Sequence, residues 1–200
     1  MTTVTAPRAP DHEAARRAMI DSQLRTSGVN EGWVLAAMAS LPREGFVPAA
    51  WREAAYIDRA IPLGDGGWLA PPLVHARMLA EAAPAGTDRA LLVGDAAGYL
   101  AALLRPRVGT LEVAAPAEAV DHPPAGPFTL IVIDGAIENL PDALADALAD
   151  TGRLVTGIVA RGVTRLALGR KAAGKVALLP LAEIGIPVLT AFAAPQRWRF

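Results

Sequence analysis

A glycine-containing turn between a predicted strand and a predicted helix is the feature of this sequence best suited to binding chemistry. The apolar residues 91–93 lead into the turn 94–98, which begins with Gly94 and ends with Gly98. In α/β proteins such a turn lets a nucleotide-like cofactor lie against the backbone, because glycine tolerates tight curvature and close approach. A turn that receives a ribose normally has a glycine in the middle, where this chain has Ala96, whose methyl group fills space and disfavours positive φ.

Acidic residues near predicted strand ends are the next candidates for ligand binding. Asp95 lies inside the turn, where its carboxylate could reach a cationic ligand group or cap the following helix, capping being the commoner use. Glu112 lies near the end of the next predicted strand, where an acid can accept hydrogen bonds from both ribose hydroxyls or remain an exposed charge. Asp134 follows the buried run 128–133. It could contact a ligand in the same cleft, or it could be a turn or N-cap carboxylate before a helix at Leu140.

Metal and thiol chemistry are not indicated by the sequence. His12, His75 and His122 are far apart and lack the paired spacing of metal ligands, so we expect no metal site. His75 is most simply a helix residue. The chain has no cysteine, which excludes disulfides, thiol catalysis and thiolate metal sites.

Composition limits the possible partners and location. The 200 residues are 52% hydrophobic, which allows a sizeable core. The net charge of -1, from 19 basic and 20 acidic residues, gives no electrostatic basis for nucleic acid as the main partner. Residues 1–10 lack the apolar core of a secretory signal, and the apolar stretch 176–195 is interrupted by prolines, a glycine and a glutamate. We therefore expect a cytoplasmic protein without a membrane partner.

The elements that must position these residues are those of an α/β fold. After Arg89, short apolar runs alternate with alanine-rich helical segments, a pattern typical of a parallel sheet flanked by helices. Three closely spaced runs, 163–168, 175–181 and 186–193, predict antiparallel strands at one edge of the sheet. The preceding elements are predicted as strand 90–94, helix 98–104, strand 109–114, strand 128–134, helix 140–150 and strand 153–160.

The N-terminal part is predicted to be helical. Asp11 can cap a first helix that ends near Gly28, and Asn30 can cap a second that stops at Pro42. A third helix is predicted to start at the two prolines 71–72 and to run toward residue 83, after an irregular segment 42–67. The predicted organisation is a flexible tail (1–10), a helical extension with a substrate-side loop (11–87) and a Rossmann-like domain (88–200).

Motifs in both halves of the chain identify a family resemblance. In order and spacing they resemble the protein-L-isoaspartate O-methyltransferases, from about residue 15 to residue 160. The motifs are Met19-Ile20-Asp21-Ser22-Gln23-Leu24, Val34-Leu35-Ala36-Ala37-Met38, Pro42-Arg43-Glu44-Gly45-Phe46-Val47-Pro48, Ala55-Tyr56-Ile57-Asp58, Ile61-Pro62-Leu63-Gly64, Ala76-Arg77-Met78, Gly98-Tyr99, Pro127-Phe128 and Gly152-Arg153-Leu154-Val155.

The resemblance implies a class I methyltransferase fold with a helical extension and S-adenosylmethionine as methyl donor. The implied acceptor is a damaged aspartyl carboxylate in a protein or peptide. The family's Glu-x-Gly-x-Gly-x-Gly turn is similar to residues 92–98, without its leading acid and middle glycine. The resemblance thus implies a donor site formed by Gly94, Asp95, Ala96 and Gly98, with Glu112 for the ribose, and Asp134 is the further candidate.

The implied acceptor site departs from the family pattern. The family's Gly-x-Gly-x-Thr-Ile-Ser-Gln-Pro corresponds to residues 64–72, and its threonine and serine positions are Trp68 and Ala70 here. The lost serine hydroxyl would orient the acceptor carboxylate, so no catalytic side chain is assigned. Alternatively, Trp68 and Ala70 simply pack the loop against the sheet. The residues expected on the substrate side are Tyr56, Asp58, Gly64, Gly66, Trp68, Leu69 and Ala70, of which Tyr56 and Asp58 could equally pin their loop.

A deletion is predicted between two strands. Only 15 residues, 113–127, separate Glu112 from Phe128, where the family has a helix, a strand and a second helix. A single parallel crossover needs about a dozen residues, so one strand and its helix are predicted to be absent, leaving a short helical turn near 116–120. The deleted part would include the family's adenine contacts.

Two functions remain open from the sequence. The first is S-adenosylmethionine-dependent carboxyl methylation of a protein or peptide, with activity retained or reduced. The alternative is a catalytically inactive relative that binds peptides or partners. A second copy of the chain, in a homodimer, is a further candidate partner. A nicotinamide oxidoreductase is disfavoured, because the chain lacks the G-x-G-x-x-G pattern.

Overall fold

The N-terminal part combines helices with a small hairpin. The computed structural model describes residues 11–64 and 66–194, so the predicted tail 1–10 lies outside the described residues. Helix α1 (His12–Met19) continues into a π-helical turn (Ile20–Leu24) and is followed by α2 (Gly32–Ser40). Two 3₁₀ helices (Arg43–Phe46 and Ala49–Ala54) lead to the antiparallel hairpin of β1 (Ile61–Pro62) and β2 (Trp68–Leu69). Helix α3 (Pro72–Ala82) completes this part.

A six-stranded sheet forms the rest of the molecule. Its strands are β3 (Arg89–Val93), β4 (Thr110–Ala114), β5 (Phe128–Ile137), β6 (Leu148–Ala160), β7 (Val163–Ala172) and β8 (Lys175–Glu183). The order across the sheet is β4-β3-β5-β6-β7-β8. The first four of these strands are parallel, whereas β7 and β8 are antiparallel additions. The predicted α/β class, with an antiparallel C-terminal edge, is confirmed.

The connecting helices are short. They are α4 (Tyr99–Leu104), α5 (Pro116–Asp121) and α6 (Asp142–Asp146). Helix α5 is the one helix between β4 and β5, and β4 forms the edge of the sheet. The short crossover predicted from the 15-residue spacing is therefore confirmed.

The apolar residues of β3 show how the core is divided. Leu92 packs with the N-terminal helices, whereas Leu91 and Val93 face a second cluster on the other side of the sheet. This alternation on a strand buried on both faces is typical of a parallel sheet between helical layers. The first cluster joins α1, α2 and α3 to the sheet, so the helical extension and the sheet share one core. Within the described residues, no helix has both the length and the apolar character needed to cross a membrane.

The helix N-termini confirm one predicted cap and contradict another. The Asp11 carboxylate accepts a hydrogen bond from the Ala14 N–H at 2.9 Å and caps α1. Asn30 does not cap α2, so that prediction was wrong. Glu31 occupies the cap position, and its carboxylate accepts a hydrogen bond from the Asn30 N–H at 3.1 Å.

Two predicted elements near the C-terminus were wrong in extent or type. The helix predicted over 140–150 covers only Asp142–Asp146, because residue 148 already begins β6 beside Phe128. The predicted strand 186–193 is absent. Instead, Ala136 of β5 exchanges two backbone hydrogen bonds with this segment, donating to the Pro187 carbonyl (2.7 Å) and accepting from the Leu189 N–H (2.9 Å).

The reason for this single bridge lies in the local sequence. Proline cannot donate a ladder hydrogen bond, and the chain turns into a 3₁₀ helix (Thr190–Phe192) directly afterwards. A Cβ at Gly135 would overlap the Leu189 side chain, so glycine permits the segment to lie close to β5. As a result, residues 187–191 cross the carboxyl end of the sheet.

Candidate functional site

A cavity of about 980 Å³ opens at the carboxyl ends of the central parallel strands. This is the position at which open α/β sheets bind ligands. Its walls include the turn 94–98, the segment 115–118, Asp134 on β5, the hairpin residues 66–69 and the segment 187–191, and it is also lined by Phe46, Pro48, Leu63, Tyr99 and Val113.

The glycine turn is held by its own backbone. The Gly94 N–H donates to the Ala114 carbonyl at 2.9 Å, and the Gly98 N–H donates to the Asp95 carbonyl at 3.1 Å. The Asp95 carboxylate accepts from the Ala97 N–H at 2.9 Å, so it stabilises the turn, whereas Gly98 occupies the cap position of α4. Asp95 therefore lies at the cavity wall without capping the helix.

The structure assigns different constraints to the three small turn residues. A Cβ at Gly94 would lie 3.2 Å from the Cβ of Asp134, and one at Gly98 would lie 3.1 Å from the Asp95 carbonyl. Close packing, and not positive φ, therefore favours glycine at these two positions. Ala96 is exposed at the wall and is not among the non-glycine residues with positive φ, so its methyl group causes no backbone strain.

Glu112 does not lie at the cavity. It is in the middle of β4, opposite Leu91, and its carboxylate accepts a hydrogen bond from Arg89 Nη2 at 2.7 Å. Strand β4 continues to Ala114, two residues beyond it. The acid that lines the cavity beyond this strand end is Glu118 in the first turn of α5, whose Oε2 accepts from the Ala115 N–H at 3.3 Å.

Asp134 belongs to a buried series of hydrogen-bonded side chains. It is part of β5, and the N-cap position of α6 is Pro141, so Asp134 does not cap that helix. Its Oδ1 lies 2.9 Å from Nε2 of His75, and Nδ1 of His75 lies 3.4 Å from Nη1 of Arg43. His75 and Arg43 are fully buried, whereas the Asp134 side chain keeps 16% exposure at the cavity.

The chemistry of arginine determines which atoms donate and which accept in these hydrogen bonds. A guanidinium only donates hydrogen bonds, so Nδ1 of His75 accepts, and Nε2 carries the hydrogen that is donated to Asp134. Burial lowers the pKa of Arg43 to about 10, which still leaves the group charged at neutral pH. Arg43 also donates to the carbonyl oxygens of Ala55 (2.8 Å) and Ala70.

Sequence reasoning did not assign Arg43 a role and took His75 for a plain helix residue. The sequence did contain one signal, namely that both polar residues lie within apolar segments. Arg43 follows the apolar end of α2 and a proline, and His75 lies among Val74, Ala76 and Met78 on a buried helix. A polar side chain in such a place needs a partner, but the sequence does not identify the partner.

The hairpin β1–β2 forms the opposite wall. Gly64 and Gly66 have φ values of 95° and 89°, which the tight connection requires. Trp68 stands at the cavity with 52% of its surface exposed, and Leu69 lines the wall from a buried position. Ala70 is buried behind the wall, where its carbonyl group accepts from Arg43. Trp68 thus does not merely pack the loop against the sheet.

Tyr56 and Asp58 are not brought to the cavity. The Tyr56 hydroxyl donates to the Glu44 carboxylate and accepts from the Arg43 N–H at 3.2 Å. Burial, together with the hydrogen bond to Glu44, raises the pKa of Tyr56. The Asp58 carboxylate accepts from the Leu73 N–H at 3.1 Å in the first turn of α3. In this structure both side chains pin the loop.

Known proteins resemble the chain in sequence. The model of the family "Protein-L-isoaspartate(D-aspartate) O-methyltransferase (PCMT)" matches residues 14–120, more than half of the chain. The chain belongs to the protein-L-isoaspartate O-methyltransferase family. Protein-L-isoaspartate O-methyltransferase 2 of Anaeromyxobacter is 34% identical, over 72% of this chain and 69% of its own. The Methanoculleus marisnigri member is 31% identical, over 84% of this chain and 88% of its own.

Solved structures confirm the class I methyltransferase fold of the family. The structure of a Plasmodium falciparum protein-L-isoaspartate O-methyltransferase in complex with S-adenosyl-L-homocysteine matches with a TM-score of 0.71 and 18% identity, covering 90% of this chain and 98% of that one. A second structure of a protein-L-isoaspartate O-methyltransferase matches with a TM-score of 0.67 and 16% identity, covering 87% and 65%. The family uses S-adenosylmethionine as its methyl donor.

Within residues 11–64 and 66–194, the structure places no group of three His, Asp or Glu side chains where they could hold a metal ion.

Proposed function

We propose that this chain methylates aspartyl or isoaspartyl carboxylates of proteins or peptides, with S-adenosylmethionine as donor. The supporting observation is that one cavity contains both the glycine turn 94–98 and the hairpin residues 66–69. In the family these positions correspond to the donor and acceptor motifs. A methyl transfer needs both partners in one space, because the reaction depends on their alignment.

The residues present at the donor side fit S-adenosylmethionine. Gly94 and Gly98 line the cavity without side chains, so a ligand can approach the backbone of the turn closely. Asp95 and Glu118 lie at the wall as acceptors for ammonium and hydroxyl groups. Val113 and the segment 115–117 offer an apolar surface for a base. When bound, S-adenosylmethionine supplies a methyl group on a sulfonium; the C–S bond breaks, and its electron pair stays on sulfur.

The chain has no need of a catalytic base for a carboxylate acceptor. Such an acceptor is already ionised at neutral pH, and its oxygen forms the new bond to the methyl carbon. The protein's task is to align this oxygen and to exclude water. Trp68 is a large, exposed side chain at the cavity wall that can exclude water. The lost serine hydroxyl at position 70 removes one hydrogen bond, worth about 1 kcal/mol, and Thr190 supplies another hydroxyl-bearing side chain at the cavity wall.

A peptide assay tests this function. We expect the full chain to transfer a methyl group to a peptide that contains one isoaspartyl residue, detected as the methyl ester by mass spectrometry. The matched control is the same peptide with a normal aspartyl residue, which distinguishes the damaged from the ordinary carboxylate. Binding of S-adenosylmethionine without ester formation on either peptide would contradict the proposed acceptor.

The alternative, an inactive relative that binds peptides, predicts no donor binding. No contact in the described residues favours it over the enzyme. The cytoplasmic location and the homodimer stay predictions from the sequence.

A further inference from the structure

We propose that a small groove beside the cavity binds an apolar side chain of the acceptor, from a residue within about two positions of the methylated one. The groove has a volume of about 390 Å³. Its lining residues are Ala60, Trp68, Gly185, Ile186, Pro187 and Val188. This inference rests on the proposed function, because it names the kind of protein segment that the same site methylates most efficiently.

The first support is that the groove is continuous with the cavity. Trp68, Pro187 and Val188 line both spaces, so the two spaces meet along these residues. An extended peptide advances about 3.3 Å per residue. While the isoaspartyl carboxylate occupies the cavity, the side chain of a near neighbour in the peptide can therefore enter the groove.

The second support is the chemistry of the lining. Among the described residues that form the groove, no side chain carries a charge, and the one polar group is the indole N–H of Trp68. Trp68 and Val188 are 52% and 45% exposed, so an apolar ligand group that covers them removes apolar surface from water. A charged or amide side chain would lose its hydration there with little compensating hydrogen bonding.

The third support is the backbone of Val188. The carbonyl of Pro187 and the N–H of Leu189 are both hydrogen-bonded to Ala136, at 2.7 and 2.9 Å. In an extended segment the groups of the residue between them point the other way, away from β5. Among the described residues, no backbone hydrogen bond uses the N–H or the C=O of Val188. An extended peptide can pair with these groups, and its side chains then enter pockets along the edge.

The preference is expected of this chain and not of its family as a whole. Trp68 stands where the family's acceptor motif has a threonine. A threonine offers a smaller surface and a hydroxyl group, whereas the indole ring forms a broad apolar wall. The departure from the family motif thus creates the apolar surface on which the proposed preference depends.

Peptide kinetics test the inference. Each peptide carries one isoaspartyl residue in an alanine-rich sequence, with leucine or glutamine at one of the two positions before it or the two after it. For at least one of these positions, we expect kcat/KM to be about tenfold higher with leucine than with glutamine. Both peptides are measured on the same protein, so a general change in activity cancels in this ratio.

Gly185→Val fills the groove. Gly185 has no positive φ, and a Cβ at this residue meets no atom within 4 Å, so the fold should tolerate valine. The added side chain occupies the groove and should reduce the leucine-to-glutamine ratio to about threefold or less. Gly86→Val is the matched control, because Gly86 has equally open surroundings but lines neither space, and it should keep the wild-type ratio.

Ala60→Lys changes the chemistry of the groove. Ala60 lines the groove but not the cavity. A lysine amine at this position attracts a carboxylate, so kcat/KM with glutamate, relative to glutamine at the same peptide position, should rise about threefold. The advantage of leucine should fall in the same variant. A merely structural disturbance would not favour one charge.

The outcomes are distinguishable. A wild-type ratio near one at every position, or an unchanged ratio in Gly185→Val, would overturn the inference and leave the proposed methyltransferase intact. A wild-type dimer in light scattering that Gly185→Val converts to a monomer would assign the groove to a second copy of the chain and would also overturn it. Absence of methyl ester on every peptide would overturn the proposed function, and the inference with it.

Discussion

The proposed donor and acceptor sides of the cavity differ in how they are built. The donor side consists of strand ends, a hydrogen-bonded turn and an aspartate backed by the buried pair Arg43 and His75. The acceptor side consists of a two-residue hairpin strand and the segment 187–191, with Trp68 and Val188 52% and 45% exposed. Internal hydrogen bonds fix the first side, whereas exposed apolar side chains dominate the second.

This difference fits the two tasks of the proposed reaction. The methyl donor is the same small molecule in every reaction, so a rigid binding site suits it. Protein acceptors vary in sequence around the damaged residue, and a surface of exposed apolar groups can accommodate them. A smaller groove of about 390 Å³, lined by Ala60, Trp68 and residues 185–188, adjoins the acceptor side. We therefore expect mutations on the two sides to have separable effects.

The largest expected effect is the loss of the buried arginine. Arg43→Met leaves the carbonyl groups of Ala55 and Ala70 without this donor and should lower the free energy of unfolding by about 3 kcal/mol. Urea denaturation followed by circular dichroism measures the change. Trp68→Ala, on the exposed side, should change it by less than about 1 kcal/mol. Similar losses in both variants would contradict the claim that the donor side is held more firmly than the acceptor side.

Filling the donor turn should have the next largest effect. Gly94→Val places side-chain atoms against Asp134 and into the cavity, so donor binding should weaken by about 2 kcal/mol. Calorimetry with S-adenosylmethionine measures it. Gly86→Val is the control, because a Cβ at this exposed glycine meets no atom within 4 Å. An unaltered affinity in Gly94→Val would show that the ligand does not use this turn.

Trp68→Ala should affect the peptide and not the donor. Loss of this aromatic surface should lower kcat/KM for the isoaspartyl peptide about tenfold, with donor affinity unchanged. Steady-state kinetics with varied peptide and a calorimetric titration give the two values. Leu179→Ala removes another exposed apolar side chain, 62% exposed on β8, and serves as control. A parallel fall in donor affinity would mean that Trp68 belongs to the donor side.

The smallest expected effect concerns the two glutamates. Glu118→Gln should weaken donor binding about threefold, since one charge-assisted hydrogen bond becomes a neutral one. Glu112→Gln should have a smaller effect, because the Glu112 carboxylate is paired with Arg89 outside the cavity. If Glu112→Gln weakens donor binding more than Glu118→Gln does, the ribose is bound by Glu112 and not by Glu118.

The sequence predicted what local pattern and chain length determine. The strand, turn and helix around Gly94 follow from an apolar run and from the two glycines at the ends of the turn. The single crossover between β4 and β5 follows from counting residues. The family resemblance predicted Trp68 on the substrate side, whereas the hairpin that carries it was not predicted.

The sequence could not predict contacts that join distant residues. Arg43, His75 and Asp134 are separated by 32 and 59 positions, and only the folded core brings them together. The predicted strand 109–114 matches the end of β4, but the sequence could not show that the Glu112 carboxylate pairs with Arg89 on a neighbouring strand instead of reaching the cavity. Residues 186–193 are apolar enough for a strand, but they pair with β5 only through one isolated β-bridge, between Ala136 and Val188.

Titration of the folded wild-type chain with S-adenosylmethionine tests the central claim most directly. The proposed function predicts saturable, one-to-one binding that Gly94→Val weakens and Gly86→Val does not. Absence of binding heat up to millimolar donor, at several temperatures and with the protein shown to be folded, would contradict it.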